Sequence, residues 1–476
     1  MQHDLMAPPH AFVAAIGACP AVERDRRQIR GTRFPAAVAG LATMLIALIA
    51  CATSVVLGIA PTQGDASPVT VIRAGRMFDS IHGTMLRDQV VVIRGQRIAA
   101  VGAASAVAIP PGARVIDLSG ATVLPGLIDG HEHLFLTGEA GGRYDEQLLT
   151  ESWQYRTIEA VVNARRDLDA GFTTERDCGT EGAMYSDVDV RHAIDRGLVP
   201  SPRMFVATRD LSTTGSYPLL GYSPEVPVPI GLQEVDGPWQ ARKAVREEIS
   251  YGADFIKIYG TGESHFAPDG TLVSMPTFTL AEVKAIVAEA HSLGRKVGCH
   301  AYGGEGLENC INGGVDSIEH GLVLSDDDVR KMAAHGTWLV PTLYVYETIR
   351  QDDLRASGGK NSRAALHEGS FKKALAAGVK IAFGTDAGPF PHGTQAKEFE
   401  YMVAFGMKPA AAIQAATIRA AELIGWQDRV GSITPGKYAD IDAVSGDPLT
   451  DIKQLEHVEF VMKGGDVVKN ELANNR

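Results

Sequence analysis

The strongest constraint on this chain is an alternation. Apolar runs of strand length recur eight times, at residues 123–129, 172–176, 204–208, 255–259, 296–300, 316–320, 338–343 and 381–386. Helical patterns lie between most of them. In the stretch 280–293, Leu280, Val283, Ile286, Val287 and Ala290 fall on one face at helical spacing. The stretches 363–377 and 409–424 are similar. Strand and helix alternating this way predict an α/β fold, a (β/α)8 TIM-like barrel. A doubly wound open sheet shares the pattern, because strand count alone does not show closure.

The two ends read differently. Short β-rich runs at 69–73, 89–93, 97–101 and 114–117 are separated by glycine and polar turns. The same texture returns at 431–433, 439–444, 458–463 and 466–468. A small β-sandwich assembled from both ends is therefore expected, as residues 67–125 and 429–476, around a barrel at 126–428. A chain of 476 residues, 45% hydrophobic, is ample for both.

Residues 1–66 read as targeting sequence and linker. Arg24, Arg26, Arg27, Arg30 and Arg33 precede an uncharged stretch, 34–64, with an apolar centre. That order is the pattern of an export signal. Leu48-Ile49-Ala50-Cys51 resembles a bacterial lipoprotein box, which would lipidate Cys51. The stretch also suits ordinary cleavage near 60–66, or an uncleaved membrane anchor. The expectation is an exported protein, periplasmic or membrane-attached. None of the five cysteines forms a CxxC pair, so neither a cysteine-based zinc site nor a disulfide framework is expected. The net charge of −12 argues against a nucleic-acid partner.

In a barrel the chemistry gathers at the C-terminal ends of the strands. The first run leads into Gly130-His131-Glu132-His133. In extended backbone His131 and His133 point to the same side and can share a metal, while Glu132 points away. An HxH pair alone also describes two surface histidines. Lys257 sits in a strand among apolar neighbours and needs either a partner or a route to solvent. Further runs end in His300, His320 and Asp386. Each could be structural alone, and Asp386 could cap the next helix. Together they offer nitrogen and oxygen donors without sulfur, which suits zinc, manganese, cobalt or nickel. Near the same ends, Arg209, Tyr259, Tyr302, Tyr344 and His392 are candidate substrate contacts, with Arg176 close by. Arg209 could hold a carboxylate in bidentate fashion. The Gly- and Pro-rich segment 212–237 is a candidate covering loop.

In this order the motifs resemble the amidohydrolase superfamily: HxH, a strand lysine, two strand-end histidines and a final aspartate. Pro125-Gly126-Leu127-Ile128-Asp129 before the HxH is similar too, and so is the return through 431–441. The segments 300–306 and 384–393 look like an imidazolonepropionase-like, Xaa-Pro dipeptidase-like and ochratoxin-hydrolysing subgroup. Glu132 and Asp442 depart from the family pattern. The resemblance implies two divalent ions, zinc above all. His131, His133 and Asp386 would hold one ion, His300 and His320 the other, and a carbamate on Lys257 would bridge them. It implies that a metal-bridging hydroxide attacks an amide carbonyl, with Asp386 acting as base and then acid. The expected substrate is a small-molecule amide, an N-acyl amino acid or a dipeptide with a free carboxylate. A cyclic amide is the alternative, and a non-catalytic exported metal-binding protein is the rival class. A homo-oligomer is implied at family level.

Overall fold

The computed structural model describes residues 69–138, 144–217, 219 and 221–472. The expected export or anchor segment, with Cys19 and Cys51, lies outside them. Among the described residues no helix is long and apolar enough to cross a membrane.

Four strands open the described part: β1 (Val69–Asp79), β2 (Thr84–Arg94), β3 (Arg97–Ala103) and β4 (Arg114–Pro125). The middle of the chain supplies β5 (Leu127–Glu132), β6 (Phe172–Asp177), β7 (Arg203–Val206), β8 (Leu211–Ser212), β9 (Gln233–Glu234) and β10 (Ile256–Tyr259). A hairpin, β11 (Thr261–Phe266) and β12 (Leu272–Pro276), follows. Then come β13 (Val297–Gly303), β14 (Ser317–Val323), β15 (Trp338–Val340) and β16 (Lys380–Ile381). The chain finishes with β17 (Ile441–Val444), β18 (Phe460–Lys463) and β19 (Asp466–Asn470).

The two ends share one seven-stranded sheet, in the order β19-β18-β17-β4-β1-β2-β3. The join is antiparallel, with Ile441 opposite Pro125 and Ala443 opposite Val123. Ile72, Val91, Ile116, Val123, Ile441 and Phe460 pack in a core of its own. Asp442, between Ile441 and Ala443 and so on the other face of β17, is also buried, and its Oδ2 accepts the Leu127 N–H at 3.0 Å. That bond ties the end sheet to the start of β5. It gives the unusual aspartate a structural task.

The middle forms two parallel sheets, β5-β6-β7 and β16-β15-β14-β13-β10-β8-β9. Every residue of β5 and β6 is buried. Only their first residues are apolar, Leu127 and Ile128 in β5 and Phe172 in β6; the rest of β6 buries Thr173, Thr174, Glu175, Arg176 and Asp177, so burial there does not read as an apolar run. Backbone hydrogen bonds cross both seams between the sheets. Gly130 donates to Phe383 O at 2.9 Å and Thr385 to His131 O at 3.0 Å, while Asp254 donates to Val206 O at 2.8 Å. Asp129 reinforces the first seam, since its carboxylate accepts from the backbone and the hydroxyl of Thr385.

Helices pack outside these strands, and their ends follow sequence signals. Thr279 and Glu282 form a capping box at the helix Leu280–Ser292, which buries Val283, Ile286, Val287 and Ala290. Both β15 and β16 are shorter than the apolar runs 338–343 and 381–386 suggested. Pro341 has no N–H to continue a ladder, and beyond β16 the backbone turns to bond β5 across the seam.

One expectation is corrected. Cys299 and Cys310 form a disulfide, eleven residues apart in sequence. Cys299 lies in β13 and Cys310 in the helix Gly304–Gly313 that turns back over it. That proximity comes from the strand-to-helix turn, and no cysteine spacing rule would show it.

Candidate active site

The strand ends bring His131, His133, Lys257, His300, His320 and Asp386 together. Parallel register aligns them: Lys257 lies opposite Gly298, Tyr259 opposite His300, and Ala301 opposite His320. The ring of His131 is 5.4 Å from that of His133 and 4.9 Å from that of His320, and His320 is 4.5 Å from His300. Asp386 Oδ1 is 3.4 Å from His131 Nε2 and 3.5 Å from His133 Nε2. Two donors each about 2.1 Å from one tetrahedral ion sit about 3.4 Å apart. The spacing of these atoms therefore fits a shared ion.

The imidazoles are oriented from behind. Nδ1 of His131 donates to Glu319 at 3.0 Å, Nδ1 of His133 to Gly179 O at 3.1 Å, and Nδ1 of His320 meets Thr342 Oγ1 at 2.8 Å. In each ring this leaves Nε2 free as a ligand. Glu319 is itself held by Arg176 Nη2 at 2.7 Å and by the Ser317 hydroxyl at 2.5 Å. Gly298 leaves room for this arrangement, because a Cβ there would come within 2.9 Å of Glu319 Oε1. Arg176, noted near the strand ends in sequence, thus lies beneath the site as a support. Glu319→Gln should weaken metal binding about 10- to 100-fold, since it frees the ring it orients. Zinc titration of the stripped protein measures this, and an unchanged affinity would contradict the orienting role.

Electrostatics suit neutral ligands. Burial, and then the Lys257 charge, push His133 down to about 3 and hold His131 and His300 well below the usual range. His320 is lowered by burial and by its histidine neighbours. Burial pushes Asp386 up to about 7. Lys257 is completely buried, and among the described residues its hydrogen-bond partner is His131 Nε2, at 3.4 Å. Burial disfavours its charge, but Cys178, Asp210, Glu319 and Asp386 together hold its pKa above the ordinary value. The backbone is strained at this end of the strands. His320, Asp386, Glu181 and Thr342 have φ of 72°, 62°, 48° and 54°, each a conformation costing roughly 1–3 kcal/mol.

A cavity of about 340 Å³ opens over these residues. Tyr259 and Tyr302 line it, and so does Tyr217 from the segment 212–237. The Tyr259 hydroxyl donates to Glu181 Oε1 at 2.8 Å, and Tyr144 donates to Oε2 at 2.9 Å. The other expected contacts are held elsewhere. Arg209 sits beside Glu248, which accepts its backbone N–H at 3.3 Å. Tyr344 accepts from Lys397 and packs on Phe390. His392 is buried against Asp167 at 2.8 Å. Sequence reasoning missed Glu181, Glu319, Tyr346 and Arg363. Arg363 is the one Lys or Arg among the described cavity-lining residues. It lies in the helix Arg363–Ala376, far from any strand end, so strand-end logic does not reach it.

Comparison with known proteins agrees with this geometry. The profile described as "Amidohydrolase family" matches residues 122–468. The ochratoxinase of Aspergillus niger is 30% identical over 437 residues, covering 85% of this chain and 88% of that protein. An imidazolonepropionase of Geobacillus kaustophilus is 28% identical over 387 residues, covering 75% of this chain and 84% of its own. Among solved structures, a Xaa-Pro dipeptidase with bound methionine in the active site superposes with a TM-score of 0.76 at 35% identity. That match covers 84% of this chain and all of the dipeptidase.

Proposed function

Because the chain belongs to the amidohydrolase family, we propose that it uses two divalent ions, zinc above all, to cleave the amide bond of an N-acyl amino acid or dipeptide with a free carboxylate. The chain is a hydrolase of amide bonds. The observation that carries the metal reading is the convergence of His131, His133 and Asp386 atoms at ligand-to-ligand spacing. The seam hydrogen bonds support reading the eight strands as a closed (β/α)8 barrel with this site at its mouth.

The donor set fits the ions. His131, His133 and Asp386 would hold one, His300 and His320 the other, with Lys257 between them. An ammonium facing imidazole nitrogen does not tolerate a second cation, whereas a carbamate on Lys257 would supply an anionic oxygen ligand. When bound, the ions supply an acidified water and a Lewis acid for the amide carbonyl. Asp386, whose side chain stays partly accessible, takes the water's proton and returns it to the leaving nitrogen. Tyr259, Tyr302, Tyr217 and Tyr346 give the cavity aromatic walls for an apolar acyl group or side chain.

Arg363, rather than Arg209, supplies the carboxylate recognition. Its Nη2 donates to Ser264 O at 3.3 Å and Oγ at 3.0 Å, and its Nη1 pairs with Asp353. The guanidinium is thereby fixed at the cavity wall. Arg363→Lys should lower kcat/KM about 10- to 100-fold for substrates with a free carboxylate, and far less for their carboxamides. The same loss for both substrate types would remove Arg363 as the anchor. Equal turnover of acid and carboxamide by the unaltered enzyme would move the substrate toward cyclic amides, a reading the imidazolonepropionase relative supports.

A further inference from the structure

Behind the catalytic cavity, between β5, β6 and the helix Trp153–Asp169, lies a second group of donors. Glu132 points outward from β5, opposite to His131 and His133. It is completely buried, and among the described residues neither carboxylate oxygen has a hydrogen-bond partner. Asp167 comes from the helix and His392 from the segment after β16. Both are buried. One ligand atom from each of the three lies within 4.8 Å of the others.

The hydrogen bonds around this group fix its chemistry. Nε2 of His392 faces the Leu136 carbonyl at 3.2 Å and must donate to it. In the neutral ring that leaves Nδ1 as an acceptor. Nδ1 points at Asp167 Oδ2, 2.8 Å away, and at Glu132 Oε2, 3.9 Å away. The other Asp167 oxygen accepts from Gly393 N at 2.8 Å and from Gln395, so Oδ2 is the one that faces His392. In the neutral form three acceptors converge, and among the described residues nothing donates to Glu132. A proton on Nδ1, which the Asp167 carboxylate favours, satisfies Asp167 but leaves both Glu132 oxygens without a hydrogen-bond partner among the described residues. Glu175 and Asp177, in the same layer, add three more buried carboxylate oxygens without hydrogen-bond partners among the described residues.

We propose that Glu132, Asp167 and His392 bind a third divalent ion, distinct from the catalytic pair. One imidazole nitrogen and two carboxylates suit zinc or manganese over calcium or magnesium. The ion would join β5, the helix Trp153–Asp169 and the segment that follows Asp386. It would therefore hold the HxH strand and Asp386 in fixed relation. It also gives a use to Glu132, the residue of the HxH motif that the catalytic site leaves out.

The test is diffraction from crystals of the full chain reconstituted with zinc, using anomalous scattering at the zinc edge, with zinc content measured in parallel. A peak about 2.0–2.2 Å from His392 Nδ1 and from an oxygen of Glu132 and of Asp167 is expected. Glu132→Gln and His392→Asn should each remove that peak and one zinc per chain, while peaks beside His131 and His300 persist. Peaks beside His131 and His300 with none here would overturn the third site alone and leave a proton on His392. No zinc at any of these places would overturn this site and the proposed catalytic pair together.

Discussion

Lys257→Ala should abolish amide hydrolysis, by at least about three orders of magnitude, or about 4 kcal/mol of transition-state stabilisation. The side chain is wholly buried between the histidines. As an ammonium it would repel any bound cation, and its charge already depresses His131, His133 and His300. As a carbamate it would bind both ions. Alanine removes either form, so the two readings separate by metal content. If Lys257 is the bridge, the variant loses zinc along with activity, and a small carboxylate such as acetate restores part of both. If Lys257 is only a buried structural lysine, removing its charge leaves zinc binding intact or tightens it. Metal analysis and turnover on the same preparation decide between them.

Asp386→Asn should retain zinc yet lose about two to four orders of magnitude in kcat, the usual contribution of a general acid–base. The amide is close in shape to the carboxylate, and the backbone here is fixed independently, with Asp386 N donating to His131 O at 2.7 Å. What asparagine cannot do is carry a proton from water to the leaving nitrogen. The loss should fall on kcat, with KM little changed, because the tyrosines of the cavity wall and Arg363 are untouched. Near-normal turnover with both ions bound would remove Asp386 from proton transfer and leave it as a ligand only.

Much of this was legible in the sequence, for physical reasons that differ between parts. Runs such as 338–343 were readable because strands covered on both faces carry apolar stretches, as in β15, whereas β6 buries a largely polar sequence after Phe172. His131, His133, His300, His320 and Asp386 were readable because strand ends are local in sequence, so polar residues at each end of a run stand out. Two tyrosines were found the same way, each two residues past a site residue. Arg209 failed that logic: it follows its run closely, but its backbone turns to Glu248. Tyr344 and His392 failed because packing by Lys397 and Asp167 holds them outside the cavity wall. Glu319, adjacent to His320, was passed over because its role depends on Arg176 and His131, which are distant in sequence. Arg363 and the Cys299–Cys310 disulfide were hidden for the same reason: each depends on how a helix returns over the strands.

The central claim is tested most directly by amide hydrolysis with the zinc-loaded protein, measured before and after a chelator. The panel holds N-acyl amino acids, dipeptides and ochratoxin A, each beside its carboxamide. The account predicts release of the C-terminal amino acid from the free-carboxylate members, lost with the chelator and regained with zinc. Release that persists in metal-stripped protein, or no release from any member while zinc is shown to be bound, would contradict it.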